Sequence, residues 1–302
     1  MASKLQEYRR MSEEAQRQLT GSLERWQSFL TTASRLYKYP YHEQIMIHAQ
    51  RPDATACADF DFWNRQWGRY VRRGSKGIAL LNATEDNPSI RYVFDVADTG
   101  TRPNSREVRL WKYTPEHFDA VAERLERYGV TKESDLETQV EKLASQLAGE
   151  YWEENSRDIC GIVAGSFPDE YDEYNIGVQF RNAASVSIAY TLMARCNLDP
   201  QSYFEHEDFL PVFDFNTPSA VAALGTAVSE ISQQVLRQIE IAVKNYERER
   251  STEHGRTDLH EERRLPDTQP EPERTGAEAA GQVREDEENL GISPLPGSPP
   301  AP

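Results

Sequence analysis

The densest chemistry in the chain lies in RQWGRYVRRGSKG, residues 65–77, where Arg65, Arg69, Arg72, Arg73 and Lys76 occur without a single acid. Aromatic side chains are interleaved with or border them: Phe60, Phe62, Trp63, Trp67 and Tyr70. This mixture suits an unpaired polynucleotide. Cations follow the phosphates and flat rings stack on bases, each stacked base contributing about 1–3 kcal/mol with little regard to sequence. Tyr39, Tyr41, Gln50 and Arg51, from the corner YKYPY and the helix after it, are candidates for the same surface. Arg69, Arg72, Arg73 and Lys76 are expected to hold phosphates, and Tyr39, Tyr41, Trp67 and Tyr70 to stack on bases. Trp26, Phe29 and Trp63 read as core residues. On pattern alone Arg72, Arg73 and Lys76 fit a solvated turn equally well. With about five phosphates neutralised, log K should fall against log salt with a slope near −3.5, at ~0.7 per phosphate.

Other chemistries find no support in the spacing. His42-Glu43, His206-Glu207 and His260-Glu261 each begin like HExxH, but none has the second histidine four residues on, so no helix face offers two imidazoles to zinc. Gly74-Ser75-Lys76-Gly77 lacks the rest of a phosphate loop, and no GxGxxG is present. Asp95 and Asp98 follow a strand without partners for a nuclease or glycosidase. No catalytic residue, metal ligand or cofactor site is assigned, and the expectation is a non-catalytic protein. The acidic stretch PDEYDEYN, 168–175, is open to several readings: a cation site, a mimic of a nucleic-acid backbone, a dock for a basic surface, or a solvated helix end with Tyr171 and Tyr174 packed inward.

The 302 residues carry 34 Lys+Arg and 50 Asp+Glu, a net charge of −16, which would ordinarily argue against nucleic acid. The charge is unevenly placed. Residues 1–112 hold 18 basic and 13 acidic side chains (+5), leaving 16 and 37 (−21) for residues 113–302; the two parts suit different partners or one another. Three scattered cysteines, Cys57, Cys160 and Cys196, fit a reducing cytoplasm better than a disulfide framework. No run approaches the ~18 apolar residues that span a bilayer, so no membrane partner is expected.

The elements that must position the basic stretch follow from periodicity. A polar leader helix is expected within residues 1–20. In the next helix Trp26, Phe29, Leu30, Ala33, Leu36 and Tyr37 recur at the 3.6-residue period of one buried face. Pro40 ends it, a short helix covers roughly 42–50, and another is expected over 58–67. Tyr70-Val71, Ile78–Leu81 and Ile90–Val96 are short β-prone runs separated by turn formers, which predicts a small antiparallel sheet. From Thr114-Pro115 on, the apolar spacing is helical, with VSIAYTLMARC (186–196) a buried helix and 221–250 a long closing one. The predicted class is therefore α+β: a helix-and-sheet domain over 21–112, an α-helical domain over 113–250, and a disordered tail over 251–302, which holds 8 of the 17 prolines and no Phe, Tyr or Trp.

Residues 26–99, running WQSFL, YKYPYHEQIMIHAQRPDAT, FWNRQWGRYVRRGSKGIALL and RYVFDVADT, resemble the single-stranded-DNA-binding N-terminal domain of ArdC-type antirestriction proteins. The likeness runs through Trp26, Phe29, Leu30, Ile45, Gln50, Pro52, Thr55, Trp63, Gly68, Arg69, Gly74, Lys76, Gly77, Phe94, Asp95, Val96 and Thr99. The zinc-protease domain of ArdC itself is not matched. The wider chain is similar to the N-terminal portion of large conjugative-transposon proteins of Firmicutes, in which helicase and methylase modules follow. The resemblance implies DNA binding on a mobile genetic element, beside a helicase or methylase of the same element. Two alternatives stand with it: an antirestriction-type regulator whose acidic helical domain docks a basic surface, or a DNA-targeting fragment of a larger helicase or methyltransferase.

Overall fold

The computed structural model describes residues 3–81 and 89–261. Helix α1 (Lys4–Leu19) opens on a capping box in which Ser3 and Gln6 bond each other's backbone amides. Ser22 caps α2 (Leu23–Arg35), and α3 (Tyr41–Gln50) begins after Pro40. A three-stranded antiparallel sheet in the order β1 (Cys57–Asp59), β4 (Ile90–Asp95), β3 (Ile78–Leu81) lies beside a two-stranded ladder of β2 (Tyr70–Val71) and β5 (Thr99–Gly100). Helices follow: α4 (Phe118–Leu125), α5 (Leu136–Ile162), α6 (Glu173–Arg195), the short α7 (Pro200–Tyr203) and α8 (Leu210–Asp214), and α9 (Pro218–Glu261). The fold is α+β, with a small sheet in the N-terminal part and helices in the rest. Among the described residues no helix is long and apolar enough to cross a membrane.

Three expectations about the elements need correction. Residues 58–67 are not one helix: Cys57–Asp59 pair antiparallel with Val93–Asp95, and only Phe62–Gln66 turn, as a wide π-helical turn. The last helix runs to Glu261 rather than stopping at 250. The remainder of the proposed tail, 262–302, lies outside the described residues.

The third correction concerns the boundary at 112, because the described residues up to Gly255 pack as one compact body. Helices α2 and α3 are apolar on two sides. Leu36, Met46 and Ile47 close over Ile78, Leu80 and Val93 of the sheet, while Trp26, Phe29, Leu30, Tyr41 and Ile45 join the large core of α5, α6 and α9. The Trp26 indole N–H donates to Ser187 Oγ of α6 at 2.9 Å. Tyr41 lies flat against α9 where residue 225 is glycine; a Cβ there would sit 2.1 Å from the ring. Helix α6 is buried nearly all round, as suits a central helix. A cut at 112 would therefore divide one interior between two pieces.

Polar ties close the same seam. Trp111 Nε1 donates to Tyr37 Oη at 3.1 Å, Tyr37 donates to Glu240 Oε2 at 2.5 Å, and Lys38 and Lys244 pair with Glu240. The Arg195 guanidinium lies 3.6 Å from the centre of the Trp111 ring. Burial alone would raise the Glu240 carboxyl, but the hydrogen bonds from Lys244, Tyr37 and Lys38 prevail and bring it down to about 2. His48, half-buried between Thr32 and Phe29, is held to about 4 by desolvation and by the nearby Arg35.

Both shifts make the fold acid-sensitive. A group whose folded pKa lies below its unfolded value stabilises above the unfolded value and loses that stabilisation as pH falls. Thermal unfolding followed against pH should give a midpoint that falls first between about 6.5 and 4, through His48, and again between about 4.5 and 2, through Glu240. Glu240→Gln should remove the lower step and leave the upper one in place.

Candidate nucleic-acid interface

The RRGSKG segment leaves β2 and turns back into β3. Gly74 takes a left-handed φ of +90° at its apex, a conformation that costs residues with a Cβ. The turn is fastened to the chain between β4 and β5: Arg72 N–H donates to Asp98 O at 2.9 Å, and Ser75 Oγ to the same oxygen at 3.4 Å. This leaves the Arg72, Arg73 and Lys76 side chains exposed. Arg72 Nη1 reaches only the Ala97 carbonyl, at 3.1 Å. None of the three forms an ion pair among the described residues.

The acids of FDVAD are engaged elsewhere. Asp95, buried, accepts from the amides of Thr55, Ala56 and Ala97 at 2.7–3.0 Å, and Asp98 is paired with Arg51 at 2.5 Å. The carboxylates of FDVAD thus organise strand ends and leave the basic turn uncompensated.

Tyr70 stands beside this turn, 41% exposed, its ring lying across Gly100 with the Arg102 guanidinium 5.6 Å from the ring centre. Arg69 is half-buried and donates to Thr99 Oγ1 at 2.8 Å. Trp67 is half-buried against Phe62 and Trp63, 6.2 and 6.3 Å between ring centres. Arg65 faces Asp61 at 3.6 Å with both groups in open solvent, a pairing worth only ~0–1 kcal/mol.

Four of the expected contact residues are elsewhere. Tyr41 is sealed in the core at 4% exposure, and Tyr39 is largely buried with its hydroxyl donating to Cys57 O at 2.6 Å; neither can stack on a base. Gln50 turns inward, its amide nitrogen donating to Ala79 O at 2.8 Å and its oxygen accepting from Ala79 N at 2.9 Å, so it completes the free edge of β3 as a backbone would. Arg51 sits among Asp53, Asp95 and Asp98 and has no charge left for phosphate. Gln50→Leu should lower stability by about 1–3 kcal/mol, because it leaves both Ala79 groups unbonded. Chemical denaturation measures that loss, while oligonucleotide affinity should stay unchanged.

Further cations beside the turn escaped the motif. Residues 101–110 run beside Trp67 and Gly68, with Arg106 N–H donating to Trp67 O at 2.9 Å and Ser105 Oγ to Gly68 O at 2.8 Å. Arg102 donates to Asn64 Oδ1 at 2.9 Å and Gly68 O at 3.3 Å, neutral partners that leave its charge unopposed, and Arg106 is exposed. Because Tyr70 pairs with Gly100 and Val71 with Thr99, Arg102 and Arg72 flank opposite ends of the ladder with Tyr70 between them. Arg102, Arg106, Arg109 and Lys112 against the lone Glu107 was the available signal; Arg109 proves to be paired with that acid at 2.8 Å. Phe60 (51% exposed) and Tyr92 (40%) are the other open rings of the sheet region.

The molecule is thus an α+β protein with a small sheet carrying a cationic turn that no acid among the described residues pairs with. No family model, curated protein or solved structure matches the chain. Among the described residues no group of three or more His, Cys, Asp or Glu is placed to hold a metal ion.

Proposed function

We propose that this protein binds single-stranded DNA with little sequence preference, through the turn Arg72–Lys76, Arg102 and Arg106, and Tyr70 between them. The observation that carries this reading is the set of exposed cations, without ion-pair partners among the described residues, around an open ring. Charges intended only for solubility are commonly paired or interspersed with acids, whereas here Asp95 and Asp98 are bound to backbone amides and to Arg51. A ring beside such a turn favours unpaired bases, whose faces are open. The likeness of residues 26–99 to the ArdC-type domain points the same way. It extends the reading to a non-catalytic component of a mobile genetic element, working in the cytoplasm beside a helicase or methylase of that element. A reducing compartment suits its three unpaired thiols.

Fluorescence anisotropy with matched single- and double-stranded oligonucleotides, of DNA and of RNA, tests the proposal. Tighter binding of single-stranded DNA is expected. With Arg72, Arg73, Lys76, Arg102 and Arg106 engaged, the slope of log K against log salt should lie near −3.5, about 0.7 for each of roughly five phosphates. Salt-independent binding, or equal affinity for duplex, would refute it.

A further inference from the structure

The turn between α5 and α6 combines buried anchors with acids and exposed apolar side chains. Val163 and Pro168 are buried and anchor it. The Asp169 carboxylate accepts from Gly165 N–H at 3.0 Å, and Asp172 caps α6 by accepting from Asn175 N–H at 2.8 Å. Glu170 and Glu173 form no ion pair among the described residues. Between and beside these acids, large apolar side chains face solvent: Ile162 at 39% exposure, Phe167 at 53% and Tyr174 at 74%. Exposed apolar residues are usually scattered singly. Here three fall within one helix–turn–helix tip, bordered by four acids between 169 and 173. The reading that packs Tyr174 inward therefore fails, and only Tyr171 is partly covered, against Phe167.

The tip complements the cationic turn but does not meet it within the same chain. No hydrogen bond or ion pair joins residues 162–174 to residues 60–112 among the described residues. Helix α6, 23 residues and so about 35 Å long, carries the tip at its first residues, and its last residue, Arg195, donates to Trp111 O at 3.0 Å. The charge division, +5 over residues 1–112 against −21 beyond, favours an acidic surface meeting a basic one.

We infer that the tip of one copy of this chain docks on the cationic turn of another, Glu170 and Glu173 facing Arg72 and Arg73 while Phe167 and Tyr174 cover Tyr70 and the arginine stems. Carboxylate–guanidinium pairs supply direction, and aromatic rings over arginine methylenes bury apolar surface. Two different patches meet, so the contact is head-to-tail and propagates rather than stopping at a dimer unless the rotation closes a ring. Its small area makes it weak and sensitive to salt. Nucleic acid and a second copy then compete for one face. The inference rests on the cationic turn assigned above, but not on what else that turn binds.

Sedimentation velocity of the full chain over a wide concentration range, at low and high salt, tests this. Association that grows with concentration and weakens with salt is expected. Glu170→Lys with Glu173→Lys should weaken it at least tenfold, and Phe167→Ser with Tyr174→Ser should do the same without altering charge. Adding Arg72→Glu and Arg73→Glu to the lysine variant exchanges the charges and should restore association. A thymidine oligonucleotide should dissolve the assemblies of the unaltered protein. A strictly monomeric chain at all concentrations, or association indifferent to both tip variants, overturns the inference. Intact DNA binding alongside such a result leaves the functional proposal standing; association without DNA binding refutes only that proposal.

Discussion

Arg72→Glu with Arg73→Glu should weaken single-stranded DNA binding by between tenfold and a hundredfold and flatten the salt slope by about 1.4, twice the ~0.7 expected for each lost phosphate. Each guanidinium is an exposed, charge-assisted donor, and the loss of one such contact costs about 1.5 kcal/mol at the low end. Two such losses approach 3 kcal/mol, about two orders of magnitude in affinity, and solvent screening sets the lower bound. Neither side chain supports the fold: the side chain of Arg72 donates to the Ala97 carbonyl at the surface, and both residues lie in solvent. Thermal unfolding of the double variant should therefore match that of the unaltered protein, which separates lost binding from lost structure. Undiminished affinity would remove the turn from the interface.

Trp26→Ala should cost about 3–5 kcal/mol, the range for truncating a fully buried large aromatic side chain. It should lower a single cooperative transition. Trp26 is fully buried, packs on Phe29 at 5.6 Å between ring centres and bonds Ser187, so its loss opens the joint between α2 and α6. If the sheet part and the helical part were separate domains, two transitions would appear and only the earlier would move. Far-ultraviolet circular dichroism and intrinsic fluorescence, recorded on the same sample, decide between these outcomes, because a shared core requires their midpoints to coincide.

What the sequence showed and what it hid follow a physical line. The buried face of α2, the turns around Gly74 and the strands Ile78–Leu81 and Ile90–Asp95 rest on local periodicity and turn chemistry, and they were legible. Strand β1 has three residues, Cys57-Ala58-Asp59, too few to show alternation. The roles of Gln50 and Arg51 depend on Ala79 and Asp98, partners that only the fold brings near. Tyr41 looked available because the residue that admits its ring, Gly225, is remote in sequence. At the cationic turn, composition alone singles out Arg72, Arg73, Lys76 and Tyr70. Arg102 and Arg106 were missed because the ladder between β2 and β5, not chain proximity, sets them beside Tyr70.

The double-sided helices α2 and α3 bear on how such a protein can be rearranged by recombination. A crossover placed at residue 112, where the charge balance changes, would give two products, each with half an interior open to water. A donor gene would have to bring matching counterparts of Trp26, Tyr41, Ser187 and Gly225 together. The cationic turn of this protein is therefore inherited with its helices as one piece, and it should not be found transplanted as a cassette that ends at residue 112.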